Sequence, residues 1–217
     1  MKETTISKFS DLHDLFDQSD KLTIYRGQSN ASWELIPKAG RKNYFGVDDI
    51  SALRYFKDNS IPFIEMRPEN DWEWLALAQH FGVATRLLDW TTNPMIATFF
   101  AVVENLNTEA AIYKFRPEDS ADTNLSPFDA KKVSVYRPRA ITKRIIAQQA
   151  LFTIHPNPNV PFLKPFKGEL EKIIIEKKYR EKLKFELHKY GYNYFSVYQD
   201  IQGLAQYIDW RWTNRED

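Results

Sequence analysis

Two short groups of polar residues in this chain combine side chains that bind anions and handle protons. The first, Tyr25-Arg26-Gly27-Gln28, follows a predicted strand and sets a forked guanidinium beside a glycine, where another group can come close to the backbone. This arrangement suits a phosphate or carboxylate ligand, and Tyr25 could stack on a ring. The alternative is a turn at the end of a strand, with an arginine that pairs with a surface acid.

The second group lies between Gln79 and Pro94, a segment bounded by two helices with clear end signals. Its candidate functional residues are His80, Arg86, Asp89, Trp90 and Thr91. Arg86 and Asp89 are close enough in sequence to pair, and Asp89 could equally accept from nearby backbone N–H groups. A buried Arg86–Asp89 pair that organises a loop, with Thr91 as a helix cap, would explain the same residues without a function.

A third feature is the segment between Asp129 and Glu169, which contains no acidic residue. It holds eight cations, Lys131, Lys132, Arg137, Arg139, Lys143, Arg144, Lys164 and Lys167. The chain as a whole has 30 basic and 29 acidic residues, a net charge of +1, so this basic segment is balanced by an acidic remainder. Basic residues interleaved with aromatics favour polyanion binding, and the candidate nucleic-acid contacts are Arg137, Arg139, Lys143 and Arg144. A solvated face paired with acids elsewhere is the alternative.

The composition excludes several kinds of chemistry. The chain has no cysteine, which rules out disulfides, thiol catalysis, zinc–thiolate sites and iron–sulfur clusters. The four histidines are far apart in sequence, so no metal site is predicted, and neither a glycine-rich phosphate loop nor a Gly-x-Ser-x-Gly elbow occurs. No apolar run reaches the roughly 20 residues of a membrane span, and the first residues do not resemble a signal peptide. A cytoplasmic protein without a membrane partner is therefore expected.

The elements that must position these residues alternate irregularly between helix and strand. Helices are predicted near Phe9–Phe16, Asp48–Asp58, Asn70–Phe81, Pro94–Val103, Ile141–Ala150, Tyr179–Tyr190 and Gln199–Trp212. Strands are predicted at Lys21–Tyr25, Ala110–Phe115, Lys131–Tyr136, Leu151–His155 and Leu170–Glu176, with Val83–Thr92 extended or looped. Helices and strands without strict alternation favour an α+β fold. The 217 residues predict one compact domain over 1–217, with a mixed sheet core flanked by helices.

The same residues resemble a known family, the FRG domain, named for its Phe/Tyr-Arg-Gly motif. The resemblance rests on Tyr25-Arg26-Gly27-Gln28, on the segment from Gln79 to Pro94 with the helix that follows, and on Arg144, Gln148 and Phe152-Thr153. Asp200 and Gly203-Leu204-Ala205 resemble the family's C-terminal motif, although Gln199 replaces a proline there. The resemblance spans roughly residues 5–209. The biochemical function of the family is poorly defined, and the resemblance makes a toxin or phage-defence setting plausible, where a protein partner is one alternative.

A weaker resemblance is to the ADP-ribosyltransferase fold. It implies that Arg26 binds the phosphates of NAD, that Thr91 and the helix Pro94–Ala101 line the nicotinamide pocket, and that Gln148, with Glu176 in reserve, stabilises the ribosyl cation. Gln148 belongs to no Gln-x-Glu or Glu-x-Glu pair, so either Gln148 alone or Asp89 as a substitute carboxylate would have to stabilise an oxocarbenium-like state, with slow or different chemistry.

Two functional hypotheses follow. One is an NAD-using, ADP-ribosyltransferase-like enzyme that acts on a nucleic-acid or protein acceptor, and the other is a non-catalytic module that binds a nucleotide or nucleic acid. The catalytic candidates are Arg26, Asp89, Thr91 and Gln148. The cofactor-binding candidates are Tyr25, Arg26, Gly27, Gln28, His80, Arg86 and Trp90. NAD is the expected substrate or ligand, and no metal is expected.

Overall fold

The computed structural model describes residues 1–44, 48–104, 107–162 and 168–214. Within them the chain folds as α+β, as predicted, with one mixed seven-stranded sheet flanked by helices. The strands are β1 (Lys2–Ile6), β2 (Ile24–Gln28), β3 (Leu87–Thr91), β4 (Ala110–Pro117), β5 (Ser134–Tyr136), β6 (Ala150–Ile154) and β7 (Gly168–Ile175). Their order across the sheet is β1-β7-β4-β2-β3-β6-β5. All neighbouring strands are antiparallel except β1 and β7.

Eight α-helices cover the sheet in the described residues. They are α1 (Phe9–Asp17), α2 (Asp49–Ser60), α3 (Asp71–His80), α4 (Pro94–Val102), α5 (Lys143–Ala147), α6 (Arg180–Lys189), α7 (Tyr194–Tyr198) and α8 (Ile201–Thr213). Short 3-10 turns at Lys38–Gly40, Lys42–Tyr44, Ile61–Phe63, Pro127–Asp129 and Lys177–Tyr179 complete the list. Every helix predicted from the sequence is present, and α7 was not predicted.

The helix ends around the second polar group follow the sequence signals. The side chain of Asn70 accepts a hydrogen bond from the backbone of Glu73 and begins α3, and Gly82 follows the helix with a φ of +85°. The side chain of Asn93 accepts from the backbone N–H of Met95, and Pro94 occupies the first helical position of α4. The ends of α3 and α4 that flank β3 are thus fixed by local residues.

One sequence expectation about β2 is wrong. The strand was predicted over Lys21–Tyr25 with Arg26 at its end, and the alternative placed Arg26 in a turn, but β2 runs on through Gln28 and pairs with β4 along its full length. Arg26 therefore lies inside a central strand, on a rigid element.

The pairing between β2 and β3 is short, and this opens the sheet. The two strands pair at a single position, Tyr25 opposite Thr91. β3 pairs with β6 over its whole length on its other side. Beyond the one pair, the carbonyl of Asp89 accepts a hydrogen bond from Arg26 at 2.8 Å, so a side chain takes the place of the next ladder bond. The result is a gap in the middle of the sheet.

Candidate functional site

A cavity of about 360 Å³ lies at the gap between β2 and β3, and we call it the cleft. This volume lies within the range of small-molecule sites. Both polar groups found in the sequence reach it, together with the end of α5 and the end of α7. The lining residues that bear on function are Arg26, Gln28, Arg41, Gln79, His80, Asp89, Arg144, Gln148 and Tyr198.

Arg26 and Asp89 form the centre of the cleft. The guanidinium donates to the backbone carbonyl of Asp89 at 2.8 Å and to its carboxylate at 3.3 Å. The amide of Gln79 donates to both carboxylate oxygens, at 3.0 and 3.1 Å, and the hydroxyl of Thr85 donates to Gln79 in turn. Burial lowers the pKa of Arg26, while the Asp89 charge opposes the shift. The Arg26 side chain is 11% exposed and that of Asp89 is 53% exposed, so a buried cation meets a carboxylate that is open to solvent.

Gly27 serves packing between the sheet and a helix. A Cβ at this position would lie 1.9 Å from the carbonyl oxygen of Ala97 and 2.6 Å from the backbone nitrogen of Ala101. The close approach to the backbone predicted from this glycine is therefore made by α4. Gly27 brings α4 against β2 and so fixes the helix that forms one side of the cleft.

Arg144 forms a second cationic position in the cleft. Its guanidinium donates to the carboxylate of Asp200 and lies 4.8 Å from the centre of the Tyr198 ring. Asp200 also caps α8 by accepting from the N–H of Gly203 at 2.7 Å. Burial would raise the pKa of Asp200, but the Gly203 N–H and Arg144 outweigh it and hold the pKa below its usual value. The start of α8 thus holds Arg144 in place.

His80, at the end of α3, lies near this second arginine. Burial and, to a lesser extent, the charge of Arg144 lower its pKa to about 4, and the charge of Asp200 opposes the shift. His80 is therefore neutral at neutral pH, where it can donate or accept a hydrogen bond without adding charge.

Thr91 and Gln148 meet at the inner end of the cleft. The hydroxyl of Thr91 donates to the backbone carbonyl of Gln148 at 2.6 Å and accepts from the backbone of Asn93 at 3.0 Å. The hydroxyl of Thr91, which is 4% exposed, thus joins β3 to the end of α5. The structure brings both candidates to the cleft, and both hydrogen bonds of the Thr91 hydroxyl are made to the backbone of the protein.

The two aromatic candidates are packed inside the protein. Tyr25 is 4% exposed and Trp90 is 3% exposed. Tyr25 packs with the core on the α4 side of the sheet. Trp90 lies in the core on the other face, where its ring N–H donates to Thr153 at 3.0 Å. Neither ring is free to stack on a ligand in this conformation. Residues alternate between faces along a strand, a pattern that places Asp89 and Trp90 on opposite faces and could have been used from the sequence.

A buried histidine lies beneath Trp90. The hydroxyl of Thr153 is 2.9 Å from Nε2 of His155, and His155 is 1% exposed. Burial lowers the pKa of His155 to about 3, and the charge of Arg26 adds to the shift. His155 is thus a neutral part of the core behind the site.

The alternative in which Arg86 pairs with Asp89 is wrong. Arg86 binds Asp49, at 2.7 Å through its Nε and at 2.8 Å through its second nitrogen. Both residues are buried, and Arg86 does not line the cleft. The pair joins α2 to the start of β3. It was missed because its two partners are far apart in sequence, whereas Asp89 is only three residues away.

The basic segment is divided among several environments. Arg139 pairs with Glu69 and Glu73, Lys132 pairs with Asp119, and Arg144 turns into the cleft. Arg137 and Lys143 are exposed, and Lys164 and Lys167 lie outside the described residues. Nucleic-acid contact through Arg137, Arg139, Lys143 and Arg144 remains a prediction.

Several cleft residues were not among the predicted site residues. Tyr198, Asp200, Gln79 and Arg41 belong to this group. Asp200 and Gln79 occur in the segments that carry the family resemblance, and their role could have been inferred there. Glu176, the reserve for the cation-stabilising position, lines a different cavity, of about 760 Å³, near Glu104 and Arg180. The guanidinium of Arg180 donates there to several backbone carbonyls.

Comparison with protein families finds a match for part of the chain. Residues 21–110 match the model of the FRG domain, a region that includes Arg26, Gln79, Asp89 and Thr91. The predicted resemblance to the FRG domain is therefore confirmed over residues 21–110. A search of curated proteins and a search of solved structures each find no match. Arg144 and Asp200 lie beyond the matched region.

No helix in the described part of the chain is both long and apolar enough to cross a bilayer.

Proposed function

We propose that this FRG-domain protein binds a nucleotide of the NAD class in the cleft and transfers its ADP-ribosyl group. One observation carries the proposal: of the arginines that line the cleft, Arg26 and Arg144 each keep a buried Nε without a hydrogen-bond partner among the described residues. A buried donor of this kind is destabilising unless it meets an acceptor. Guanidinium groups match phosphate in geometry and charge, and a nucleotide diphosphate between Arg26 and Arg144 would bring oxygen acceptors to both.

The reaction would use the carboxylate of the same site. The bond between C1′ of the ribose and the nicotinamide nitrogen breaks, and nicotinamide leaves with the electron pair. The ribosyl group becomes cationic and forms a new bond to an oxygen or nitrogen of the acceptor, which loses its proton to Asp89 or to water. Asp89 is the candidate to stabilise the cation, because a carboxylate opposes the developing positive charge. The side-chain amide of Gln148 could orient the ribose.

A second candidate is a module that binds the nucleotide without turnover. The pairing of Asp89 with Arg26 and Gln79 favours this alternative, because a carboxylate already neutralised by donors stabilises a cation less well. An acceptor that is a nucleic acid or a protein, and a toxin or phage-defence setting, belong to the catalytic version of the proposal.

The two candidates are separated by measuring binding and turnover on the same sample. We expect calorimetry to detect binding of ADP-ribose to the protein. We also expect NAD to release nicotinamide when it is incubated with the protein and with oligonucleotide or protein acceptors. Binding of NAD without nicotinamide release would support the non-catalytic module. No binding of NAD or ADP-ribose would contradict both.

The cleft arginines can be compared with an arginine outside it. Arg26→Gln and Arg144→Gln are each expected to weaken ADP-ribose binding by about tenfold or more, since each removes hydrogen bonds to a charged group. Arg139→Gln is the matched control, because Arg139 pairs with Glu69 and Glu73 away from the cleft. Its ADP-ribose affinity should be unchanged. Equal losses in all three variants would indicate a general charge effect and would contradict a specific site.

A further inference from the structure

Two unpartnered atoms of opposite hydrogen-bonding type belong to neighbouring positions on β2. The Nε of Arg26 is a donor and the Oε1 of Gln28 is an acceptor, and neither has a partner among the described residues. Both residues line the cleft, and Gln28 is 5% exposed. Residues two apart on a strand point to the same face and lie roughly 7 Å apart. The two atoms are therefore candidates to be satisfied together.

The remaining contacts of these side chains indicate which of their atoms are open. The amide nitrogen of Gln28 donates to the backbone carbonyl of Glu34 at 3.4 Å, so the oxygen is the atom left over. One terminal nitrogen of Arg26 donates to Asp89, so the Nε side of the guanidinium is the part without a hydrogen-bond partner among the described residues. The terminal torsion of a glutamine is soft, and a small rotation can turn Oε1 toward the cleft.

The types of the two atoms restrict the group that could join them. An ionised phosphate oxygen only accepts, and it would oppose the oxygen of Gln28. An amino group only donates, and it would leave the Nε of Arg26 unpaired. A hydroxyl does both, so it can accept from one of these side chains and donate to the other.

We propose that Arg26 and Gln28 together bind a ribose hydroxyl of the nucleotide, with the Nε donating to it and Oε1 accepting from it. This inference rests on the proposed function, because it requires a nucleotide in the cleft. It makes Gln28 a specificity-determining residue, which distinguishes a sugar phosphate from phosphate alone. It also assigns the open edge of Arg26 to the sugar and leaves Arg144 as the main contact of the phosphates.

The test compares four probes by calorimetry: inorganic pyrophosphate, ADP, 2′,3′-dideoxy-ADP and ADP-ribose. The proteins are the unaltered chain, Gln28→Met and the control Gln202→Met, which makes the same change at an exposed position of α8 outside the cleft. In the unaltered chain, a loss of about tenfold is expected at one of two steps, from ADP to 2′,3′-dideoxy-ADP or from ADP-ribose to ADP. The first step locates the hydroxyl on the adenosine ribose, and the second locates it on the distal ribose.

Gln28→Met is expected to abolish that loss and to leave the affinity for pyrophosphate within about twofold, while Gln202→Met changes neither. Retained pyrophosphate binding also shows that Gln28→Met folds. Should it not fold, Gln28→Leu replaces it, and the comparison of probes on the unaltered chain stands by itself. Equal affinity of the unaltered chain for ADP, 2′,3′-dideoxy-ADP and ADP-ribose would overturn the inference and leave water as the partner of both atoms. A loss that persists in Gln28→Met would overturn it too. If pyrophosphate and ADP-ribose both fail to bind the unaltered chain, the proposed function itself fails.

Discussion

At the scale of single residues, two arginine–aspartate pairs in this chain have different surroundings. Arg86 and Asp49 are both buried and bind each other through two hydrogen bonds. Arg26 is buried, but its partner Asp89 is half exposed and lies in the cleft. The buried Arg86–Asp49 pair joins two elements of the fold. In the Arg26–Asp89 pair, which reaches the cleft, a ligand can take the place of one partner.

The two aspartates therefore give opposite results when each is replaced by asparagine. Asp89→Asn should destabilise the fold less than Asp49→Asn, because the backbone carbonyl of residue 89 still accepts from Arg26. It should lower nicotinamide release from NAD by about tenfold or more, because the carboxylate that opposes the ribosyl cation is lost. Asp49→Asn should leave a buried arginine uncompensated and destabilise the fold by about 3 kcal/mol, without changing the affinity for ADP-ribose. Thermal unfolding and calorimetry check the two outcomes. A stable Asp49→Asn variant with weakened ligand binding would reverse the assignment.

At the scale of elements, the packing of α4 on β2 determines the shape of the cleft. A Cβ on Gly27 would overlap the backbone of α4 at Ala97 and Ala101, and neither backbone can yield without moving the helix. α4 forms one side of the cleft, so a shift of α4 also displaces the site.

Gly27→Ala is accordingly expected to destabilise the protein by about 3 kcal/mol or more, through overpacking between two backbones. Gly191→Ala is the matched control. Gly191 has a φ of +85° with no atom within 4 Å of an added Cβ, so its cost is limited to backbone strain of about 1–2 kcal/mol. Urea unfolding of both variants measures the difference. A Gly27→Ala variant as stable as Gly191→Ala would show that α4 yields easily.

The elements also show how far a sequence can predict such a site. Asn70, Gly82, Asn93 and Pro94 act through their own neighbours, and the helix ends that they predicted are those of the structure. β1 and α7 were missed. β1, Lys2–Ile6, buries one residue and depends on pairing with the distant β7, whereas α7 has only five residues and gives little periodicity.

In the candidate site too, local features could be predicted from the sequence and long-range contacts could not. The residue types of the cleft could be found in sequence because Arg26, His80, Asp89 and Gln148 occur in recognisable groups. Their partners could not, because Arg26 with Asp89 and Arg144 with Asp200 are pairs 63 and 56 residues apart in the chain. Such pairs depend on how the strands and helices are arranged, which local patterns do not encode.

At the scale of the whole molecule, the buried His155 and the half-buried His80 link stability to pH. The pKa of His155 is lowered to about 3 and that of His80 to about 4, from an ordinary value of 6.5, in both cases chiefly by burial. The folded protein keeps them neutral, whereas the unfolded chain takes up protons below pH 6.5. Their contribution to stability is therefore present above that pH and is lost as the pH falls toward 4 and 3.

The free energy of unfolding should fall as the pH is lowered from 6.5. His155, which is almost fully buried, should contribute about 2 kcal/mol of the loss over about two pH units. His155→Gln keeps an amide to meet Thr153 but does not titrate, so its urea midpoint should fall less steeply over the same range. Parallel pH profiles for the unaltered chain and His155→Gln would show that His155 does not contribute to the pH dependence.

The central claim is that a nucleotide diphosphate lies in the cleft between Arg26 and Arg144. A crystal structure of the protein with ADP-ribose tests this claim most directly. We predict that the diphosphate contacts Arg144 and that a ribose hydroxyl lies between the Nε of Arg26 and the side-chain oxygen of Gln28. ADP-ribose bound elsewhere, with Arg26 still held only by Asp89 and the cleft free of ligand, would contradict the claim.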